Sequence, residues 1–347
     1  MIGLRPNIAK MAGYTPGEQI NDPAVVKLNT NENPYPPSPR VFEAIQAVLT
    51  GDKLRKYPEP SGISFRKAAT RVLGIDSESI LIGNGSDDIL TILTRTFVPE
   101  GGRIVTLTPS YSLYKSLAEI QGARFQTVAF GPNWSLPAVS AIPPDTSIFF
   151  LANPNSPSGT FIDIQKIAAF IEGLPCPVVV DEAYADFAED NALRLAKLPK
   201  VIVSRSFSKS MALAGIRFGY AVAQPEIIQE MIKVKDSYNC DVLSLTAAEA
   251  AIQDTAYVTE TRSKILATRE RMQPALEALG FQVTPSQANF LWCRRSDRPV
   301  QPIYEALKQQ RILVRYMQYS DYGEGLRISV GTDAEIDRLL SCLHDII

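Results

Sequence analysis

The sequence of 347 residues contains one histidine, His344, which lies close to the end of the chain. A single histidine excludes metal sites built from several imidazoles, and it argues against catalytic units of the Ser-His-Asp or Cys-His type. The four cysteines show no paired spacing, which is typical of free thiols in a reducing compartment. We therefore predict no metal site and expect any catalysis to depend on side chains other than histidine.

An excess of charge is also absent, since 35 lysines and arginines face 37 aspartates and glutamates, for a net charge of -2. This balance favours neither nucleic acid nor an anionic membrane as a partner. No apolar run approaches the roughly 18 residues that a membrane-spanning helix needs. The start of the chain, Met1–Pro6, lacks the apolar core of a signal peptide. The sequence thus predicts a cytoplasmic protein without a membrane or nucleic-acid partner.

From residue 80 onward, short apolar runs alternate with amphipathic helical patterns. The continuous β-branched run Val178–Val180 suits a strand that is buried on both faces. Strands that alternate with helices predict an α/β domain with a mainly parallel sheet. The predicted strands are Ile80–Ile82, Arg103–Leu107, Arg124–Val128, Ser147–Leu151, Pro177–Asp181, Val201–Ser204 and Phe218–Val222.

Changes of pattern divide the chain into three parts. Residues 1–38 are rich in Asn, Pro and Gly and lack helical periodicity, so they predict an extended arm. Residues 39–240 contain the strand–helix alternation and predict a large domain. Residues 241–347 carry a long charged helix near Thr259–Leu279 and then a mixture of strands and helices, which predicts a smaller α+β domain. Its predicted strands are Ala288–Trp292, Ile312–Tyr316 and Leu326–Val330.

The first of four unusual loops, Gly83–Asp88, lies between a predicted strand and a predicted helix. Gly85 and Ser86 would leave backbone N–H groups free at the start of that helix, where these donors and the helix dipole bind phosphate. A loop merely capped by Ser86 or Asp87 is the alternative. Asp88 breaks the dinucleotide glycine pattern and no Gly-Lys-Ser/Thr follows, so neither a dinucleotide site nor a P-loop is predicted.

Two further loops follow predicted strands. Asn153–Gly159 contains two prolines and one glycine, which make it rigid, and its asparagines can donate hydrogen bonds into a cleft. Asp181 stands at the exit of an apolar strand, and Tyr184 follows three residues later. A carboxylate at this place is costly unless it meets a positive partner, although an ordinary turn residue is the alternative.

Two hydroxyls, a lysine and an arginine mark the fourth loop, as Ser206, Ser208, Lys209 and Arg217. Hydroxyls together with an arginine suit a phosphate, and a lysine in a partly dry cleft suits a covalent bond to a carbonyl carbon. A solvated surface loop is the alternative. Because ligands of open α/β sheets bind beyond the carboxyl ends of the strands, the four loops together predict one site.

In this order, the four loops resemble those of the fold-type I aminotransferases, a family that uses pyridoxal 5'-phosphate (PLP). The run Ser206–Gly219 fits the signature around that family's cofactor lysine, Ser-x-Ser-Lys-x-x-x-Leu-x-Gly-x-Arg-x-Gly. The resemblance extends from the arm to Gly331 and implies an α/β fold with a mainly parallel seven-stranded sheet plus a smaller α+β domain. Four segments resemble the histidinol-phosphate aminotransferase branch: Leu28–Tyr35, Tyr57–Pro58, Gly83–Asp87 and Leu326–Gly331.

The resemblance implies a role for each matching residue. Lys209 would bind the aldehyde of PLP and, once the substrate amine has displaced it, move the Cα proton as general base. Asp181 would hold the ring nitrogen protonated, which makes the ring an electron sink. Tyr184 and Asn155 would hydrogen-bond the phenolic oxygen of the ring. The other cofactor-binding residues would be Tyr111 on the ring face, Gly85, Ser86, Ser206, Ser208 and Arg217 at the phosphate, Asp87, and Tyr57 from a partner subunit.

The sequence departs from the family pattern at two positions. Ser156 stands where the commonest family form has an asparagine before the second proline of its loop, so either Asn155 or Ser156 would contact the cofactor ring oxygen. Ser206 stands where this branch often has threonine, which keeps the hydroxyl. Neither change alters the implied class of enzyme.

Two arginines predict an anionic substrate. Arg327 lies in a predicted strand whose neighbours Leu326 and Ile328 face the other way, so its side chain can enter the cleft, and Arg315 is placed similarly. Because a guanidinium binds carboxylate as readily as phosphate, the two arginines by themselves do not distinguish a carboxylate substrate from a phosphate substrate. A surface salt bridge is the alternative to either role. The resemblance implies that the pair holds a substrate phosphate, with Tyr14 and Asn33 as further substrate residues.

The activity implied by the resemblance is that of a homodimeric transaminase of histidine biosynthesis. It would move an amino group from glutamate to imidazole-acetol phosphate, giving histidinol phosphate and 2-oxoglutarate. An aromatic amino-acid aminotransferase and a threonine-phosphate decarboxylase are alternatives on the same scaffold. A catalytically silent regulator is disfavoured, because Lys209, Asp181 and Tyr184 are intact and no DNA-binding extension is present.

Overall fold

The computed structural model describes residues 3–14, 17–20 and 22–347. The α-helices of these residues are, in chain order, α1 (Pro6–Lys10), α2 (Pro39–Val48), α3 (Gly51–Leu54), α4 (Ile63–Leu73), α5 (Ser86–Phe97), α6 (Leu113–Gln121), α7 (Ile164–Glu172), α8 (Pro225–Ile232), α9 (Val242–Gln253), α10 (Thr255–Ala278), α11 (Gln301–Gln309) and α12 (Asp333–Ile346). The strands are β1 (Val26–Lys27), β2 (Ile80–Gly83), β3 (Arg103–Thr108), β4 (Arg124–Ala129), β5 (Ile148–Ala152), β6 (Val178–Asp181), β7 (Val201–Ser206), β8 (Gly219–Val222), β9 (Gln282–Thr284), β10 (Phe290–Arg294), β11 (Ile312–Leu313), β12 (Arg315–Tyr319) and β13 (Gly323–Ser329).

The seven strands predicted from residue 80 onward form one seven-stranded sheet, in the order β2-β8-β7-β6-β5-β3-β4. Neighbours from β7 through β4 are parallel, and β8 runs antiparallel to both β7 and β2. Helices connect most of the parallel strands. The predicted α/β architecture with a mainly parallel sheet is therefore confirmed.

Alternate residues of these strands enter two cores, one on each face of the sheet. Val178 and Val180 of β6 pack in the core that includes α2, α4, α7 and α9, whereas Val179 packs in the core with α5, α6 and α8. Burial on both faces removes the whole apolar surface of the strand from water, which is worth roughly 25 cal/mol per Å². The continuous β-branched run thus specifies a central strand.

A second sheet of four antiparallel strands has the order β12-β13-β10-β9. It packs with α10, α11 and α12 in a third core, which gives the C-terminal part its α+β character. β1 comes from the beginning of the chain and pairs in parallel with β11, with Val26 opposite Ile312. This pairing brings the residues that follow β1 close to the second sheet.

Three short elements differ from the sequence prediction. Residues 1–38 are predicted to be an extended arm, but α1 and β1 lie within them, and β9 has no counterpart among the predicted strands. α1 is held against α6, where Asn7 Nδ2 donates to the carbonyl oxygen of Glu119 at 2.7 Å. Each element has five residues or fewer, so tertiary contacts specify it better than periodicity does.

We keep the division of the chain at residues 38 and 240 as a proposal. Helix α9 follows residue 240, yet Ala247, Ala248 and Ala251 belong to a core of the seven-stranded sheet. The link between the two sheets therefore runs through α9 and α10. None of the helices that the structure describes has the length and apolar character needed to cross a membrane.

Candidate active site

The carboxyl ends of β6 and β7 open onto a cavity of about 320 Å³, whose far wall comes from β12 and β13. Most of the predicted site residues meet here although they are spread over more than 300 positions of the chain. Those that line the cavity are Tyr14, Ser86, Asp87, Tyr111, Asp181, Tyr184, Ser206, Ser208, Lys209, Arg217, Arg315 and Arg327. Gly85, Asn33, Asn155 and Tyr57 do not line it.

One end of the cavity has the features of a phosphate site. Gly85 precedes α5 with φ +81° and offers no capping side chain. The N–H groups of the first helical turn have no helical acceptors, because no earlier turn precedes them. A Cβ at Gly85 would lie 2.7 Å from Arg217 Nη2, so this glycine allows the guanidinium to approach. Arg217 Nη1 donates to Ser208 Oγ at 3.2 Å, and Nη2 donates to Asp87 Oδ2 at 3.4 Å. Helix N–H groups, hydroxyls and a guanidinium thus converge, as a phosphate requires.

The carboxylate at the end of β6 is buried without a cation. Asp181 Oδ2 accepts the Tyr114 hydroxyl at 2.7 Å, and Oδ1 accepts the backbone N–H of Ala183 at 3.3 Å. No lysine or arginine of the described residues lies within 4 Å of it. Burial raises the pKa of Asp181 to about 6. A buried carboxylate without a cation favours a cationic ligand beside it.

Tyr114 was not predicted as a site residue. It lies on α6 three residues after Tyr111, which precedes the helix, and the two rings meet edge-on at 5.6 Å between centroids. This spacing is the signal that could have found it. Its ring is fully buried and stacks on Phe150 at 4.8 Å between centroids. Burial and the neighbouring Asp181 raise the pKa of Tyr114 well above its usual value, so it stays a hydroxyl donor.

Lys209 lies between the segment that follows β1 and the residues that follow β6. Lys209 Nζ donates to the carbonyl oxygen of Thr30 at 3.1 Å and lies 5.7 Å from the centre of the Tyr184 ring. The Tyr184 hydroxyl accepts Asn31 Nδ2 at 3.0 Å. Asn33, predicted as a substrate residue, instead donates its amide to the backbone carbonyls of Lys209 and Ser210 at 3.1 and 3.0 Å. Thr30 and Asn31 were missed, although they lie in a segment that the sequence singles out.

The loop after β5 distinguishes Asn155 from Ser156. Asn155 Nδ2 donates to the carbonyl oxygen of Pro109 and to Ser158 Oγ, at 3.0 and 2.9 Å, while Oδ1 accepts the Ser110 hydroxyl at 3.0 Å. These bonds to the loop after β3 and to Ser158 occupy its amide, and Asn155 does not line the cavity. Ser156 lines the cavity instead. Of the two residues that the sequence leaves open, Ser156 is therefore the one that we propose for contact with a bound ring.

The wall opposite the phosphate end carries the two arginines, which stand side by side on β12 and β13. Arg327 Nη1 donates to Ser156 Oγ and Nη2 to the carbonyl oxygen of Asn29, both at 3.0 Å, and Nε is buried without an acceptor. Among the described residues no carboxylate lies within 4 Å of this guanidinium. Burial lowers the pKa of Arg327. A buried cation without an anion is costly, and an anionic ligand would relieve that cost.

Besides Tyr184, two further tyrosines line the cavity, and Tyr57 lies outside it. The Tyr111 hydroxyl donates to Asp87 Oδ1 at 3.2 Å, and the Tyr14 ring meets the Tyr111 ring edge-on at 6.3 Å between centroids. Tyr57 is 80% exposed outside the cavity, where it stacks on Tyr238 at 4.4 Å. Within one chain, Tyr57 therefore does not contribute to this site.

A cavity at the carboxyl edge of such a sheet, with an anion cradle and a lysine, is the arrangement that the sequence resemblance implies. Residues 23–343 match the family model described as aminotransferase class I and II. The chain belongs to the class I and II aminotransferase family, and the predicted family is confirmed.

Individual relatives show which members of that family this chain resembles. The chain is 51% identical over 336 residues to the histidinol-phosphate aminotransferase of Rhodopirellula baltica, covering 96% of this chain and 92% of that one. It is 45% identical over 351 residues to the protein of the same name from Geotalea daltonii, covering 100% of both chains. The crystal structure of histidinol-phosphate aminotransferase from Sinorhizobium meliloti in complex with pyridoxal-5'-phosphate is similar with a TM-score of 0.90 and 27% identity, covering 100% of this chain and 98% of that one.

The burial of Asp181 predicts a pH dependence of stability. Because the folded protein holds this proton more tightly than the unfolded chain, its contribution to stability is present below about pH 4 and is lost as the pH rises through about 6. We compare the free energy of unfolding of cofactor-free Asp181→Asn with that of the unchanged chain. As the pH rises from 4 to 7, we expect this difference to shift by about 2–3 kcal/mol in favour of Asp181→Asn. Urea unfolding at both pH values measures this difference. Asp321→Asn, which alters an exposed carboxylate, is the control, and an equal gain there would contradict the assignment.

Proposed function

We propose that this chain transfers the amino group of glutamate to imidazole-acetol phosphate, giving histidinol phosphate and 2-oxoglutarate. The observation that carries the proposal is the pair of arginines facing the cavity. Arg327 has a buried Nε without an acceptor, and no carboxylate of the described residues lies within 4 Å of its guanidinium. The names of the relatives support the same substrate. A substrate phosphate placed at Arg315 and Arg327 would leave the amine-bearing carbon toward the lysine.

Pyridoxal phosphate fits the residues that are present. Its phosphate would be held by the N–H groups at the start of α5, by Ser206 and Ser208, and by Arg217, while Asp181 would face the ring nitrogen. The cofactor supplies an aldehyde that forms a covalent bond with an amine and a ring that accepts an electron pair from the substrate. Gly85 allows Arg217 to approach the phosphate end, and Asp181 has no cation among the described residues, so a protonated ring nitrogen would supply one.

The residues of the chain divide the remaining tasks. Lys209 Nζ would hold the cofactor, release it to the substrate amine, and then carry the proton that leaves the substrate Cα. Asp181 would keep the ring nitrogen protonated, because a carboxylate beside a cationic nitrogen favours the charged form. Tyr184 and Ser156 would face the ring oxygen, and Tyr111 would cover the ring face. Most of these groups belong to strand ends or to loops held by side-chain bonds, which limits their motion.

We propose a cytoplasmic homodimer. The surface around α2–α4 exposes apolar side chains that a monomer would leave in water, with Phe42, Leu49 and Leu54 each more than half exposed and Tyr57 80% exposed. Tyr238 extends the same surface by stacking on Tyr57. A patch of this kind indicates a protein interface. A second copy bound there would bring its Tyr57 toward the phosphate end of the cavity.

The first test follows a half-reaction. Protein loaded with PLP is mixed with histidinol phosphate, phenylalanine or threonine phosphate, and the cofactor absorbance is followed in a single turnover. We expect fast conversion with histidinol phosphate and loss of the band and of turnover in Lys209→Ala, with exposed Lys166→Ala as the control. A preference for phenylalanine, or carbon dioxide from threonine phosphate, would replace the proposed substrate. Turnover retained in Lys209→Ala would refute the assignment of the lysine.

The two ends of the cavity should be separable by mutation. Arg327→Gln is expected to lower kcat/KM for histidinol phosphate by roughly 10- to 100-fold, since a charge-assisted bond to an anion is lost, with cofactor affinity nearly unchanged. Arg217→Gln is expected to show the reverse pattern, with weaker PLP binding as its main effect. Titration with PLP and steady-state kinetics measure the two quantities. Equal losses of both quantities in both variants would show that the ends are misassigned.

The proposed interface predicts complementation. Light scattering should give a mass near twice the 38.1 kDa of one chain. If Tyr57 acts across the interface, hybrid dimers of Tyr57→Ala with Lys209→Ala contain one intact site. Co-expression of the two impaired variants should then recover roughly a quarter of full activity, from random pairing in a two-fold dimer. Absence of recovery, with hybrid dimers shown to form, would place the role of Tyr57 within its own subunit.

A further inference from the structure

A set of ion pairs lies behind the active-site cavity, on the opposite face of β6 and β7. Side chains alternate between the two faces of a strand, so Ser204 and Ser206 share one face and Arg205 takes the other. Arg205 lines a second cavity, of about 180 Å³, together with Val72 of α4 and Val258 of α10. Its charge therefore needs partners on that side of the sheet.

Two carboxylates supply these partners. Arg205 Nε donates to Glu182 Oε2 at 2.8 Å, and Nη1 donates to Asp186 Oδ1 at 2.7 Å. Glu182 also accepts the backbone N–H of Ala192, and its side chain is completely buried. Although burial by itself lowers the pKa of Arg205, the two carboxylates raise it above the usual value. The guanidinium thus stays charged and bridges two segments of the chain.

Asp186 connects these ion pairs to the loop that carries the lysine. Its Oδ2 accepts the hydroxyl of Ser210, the residue that follows Lys209. Asn33 holds the same stretch by donating to the carbonyl oxygens of Lys209 and Ser210. The lysine loop is therefore held by side chains from two distant segments, Asn33 after β1 and Asp186 after β6.

We infer that Arg205, Glu182 and Asp186 act through Ser210 as positioning residues for Lys209. The inference rests on the proposed function, in which Lys209 Nζ holds the cofactor and carries the proton. Arginine suits this place because its planar fork can bind two carboxylates at once, whereas a lysine offers a single ammonium. A network of buried charges is costly to desolvate. Its benefit here is that it fixes one geometry of the loop that carries the lysine.

The network also spans both halves of the site. Glu182 directly follows Asp181, and Arg205 directly precedes Ser206. The ion pair between Glu182 and Arg205 therefore connects the carboxylate proposed for the ring nitrogen to a hydroxyl proposed for the cofactor phosphate. The ladder between the strands continues beside it, where the Glu182 N–H donates to the Ser204 carbonyl oxygen at 2.9 Å. Loosening the network should thus alter how rigidly a bound cofactor is held, and not only the stability of the fold.

The test removes one bond at a time from the PLP-loaded enzyme. Ser210→Ala deletes the hydroxyl that binds Asp186, and Asp186→Asn removes one of the two negative charges beside Arg205. We expect each change to lower kcat by roughly tenfold, with KM for histidinol phosphate within about twofold, because misplacement of a reacting group acts on the chemical step. The induced circular dichroism of bound PLP, divided by cofactor content, should fall as well.

Matched variants separate positioning from stability. Ser38→Ala removes a hydroxyl that donates to the Asp254 carboxylate at 2.5 Å outside the cavity, so it should lower Tm and leave kcat and circular dichroism unchanged. Ser210→Thr keeps the hydroxyl and should restore most of kcat. The double variant Ser210→Ala with Asp186→Asn should lose little more than the worse single variant, since both changes break one connection.

The outcomes distinguish this inference from the proposed function. A normal PLP band with unchanged kcat and circular dichroism in Ser210→Ala and Asp186→Asn would overturn the positioning role alone. Losses that Ser38→Ala reproduces, or fully additive losses in the double variant, would overturn it too. A missing PLP band in the unchanged protein would instead overturn the proposed function.

Discussion

The parallel pairing of β6 with β7 is the constraint on which the site depends. Its register sets Asp181 opposite Ser204, and both strands end at the same edge of the sheet. The Asp181 carboxylate and the loop that carries Lys209 therefore lie close together at this edge. Because successive side chains of a strand face opposite ways, the same register places Glu182 and Arg205 together on the other face. One backbone pairing thus sets both the reactive groups and the ion pairs behind them.

Charge is distributed differently on the two faces of these strands. Behind the cavity, Arg205 is matched by two carboxylates, so this buried charge has partners. Inside the cavity, Asp181 has no cation and Arg327 has no anion among the described residues. Unmatched buried charges destabilise a fold, so their presence marks a place where a ligand completes the electrostatics. A molecule with a cationic ring nitrogen near Asp181 and an anionic group near Arg327 would do so.

The segment after β1 joins the two sheets at the cavity. Asn31 binds Ser329 and Asn289 of the second sheet and donates to Tyr184, which follows β6. Asn29 accepts from Arg327 through its carbonyl oxygen, and the carbonyl of Thr30 accepts from Lys209. The pairing of β1 with β11 holds this segment in place. Residues near the beginning of the chain therefore connect the lysine to the substrate arginines, and the cavity is a product of both sheets.

The sequence by itself determined the strands of the large sheet, their alternation with helices, the family and twelve of the residues that line the cavity. Periodicity and motif spacing are local properties, and Val178–Val180, Asp181 and Lys209 lie within such local patterns. The tertiary structure alone decided which neighbours these residues meet. It bound the Asn155 side chain to the loop after β3, set Ser156 at the cavity, bonded Asn33 to the backbone at the lysine and placed the Tyr114 hydroxyl on Asp181. Such contacts join residues far apart in the chain, and side-chain direction at a strand end depends on packing that no single segment encodes.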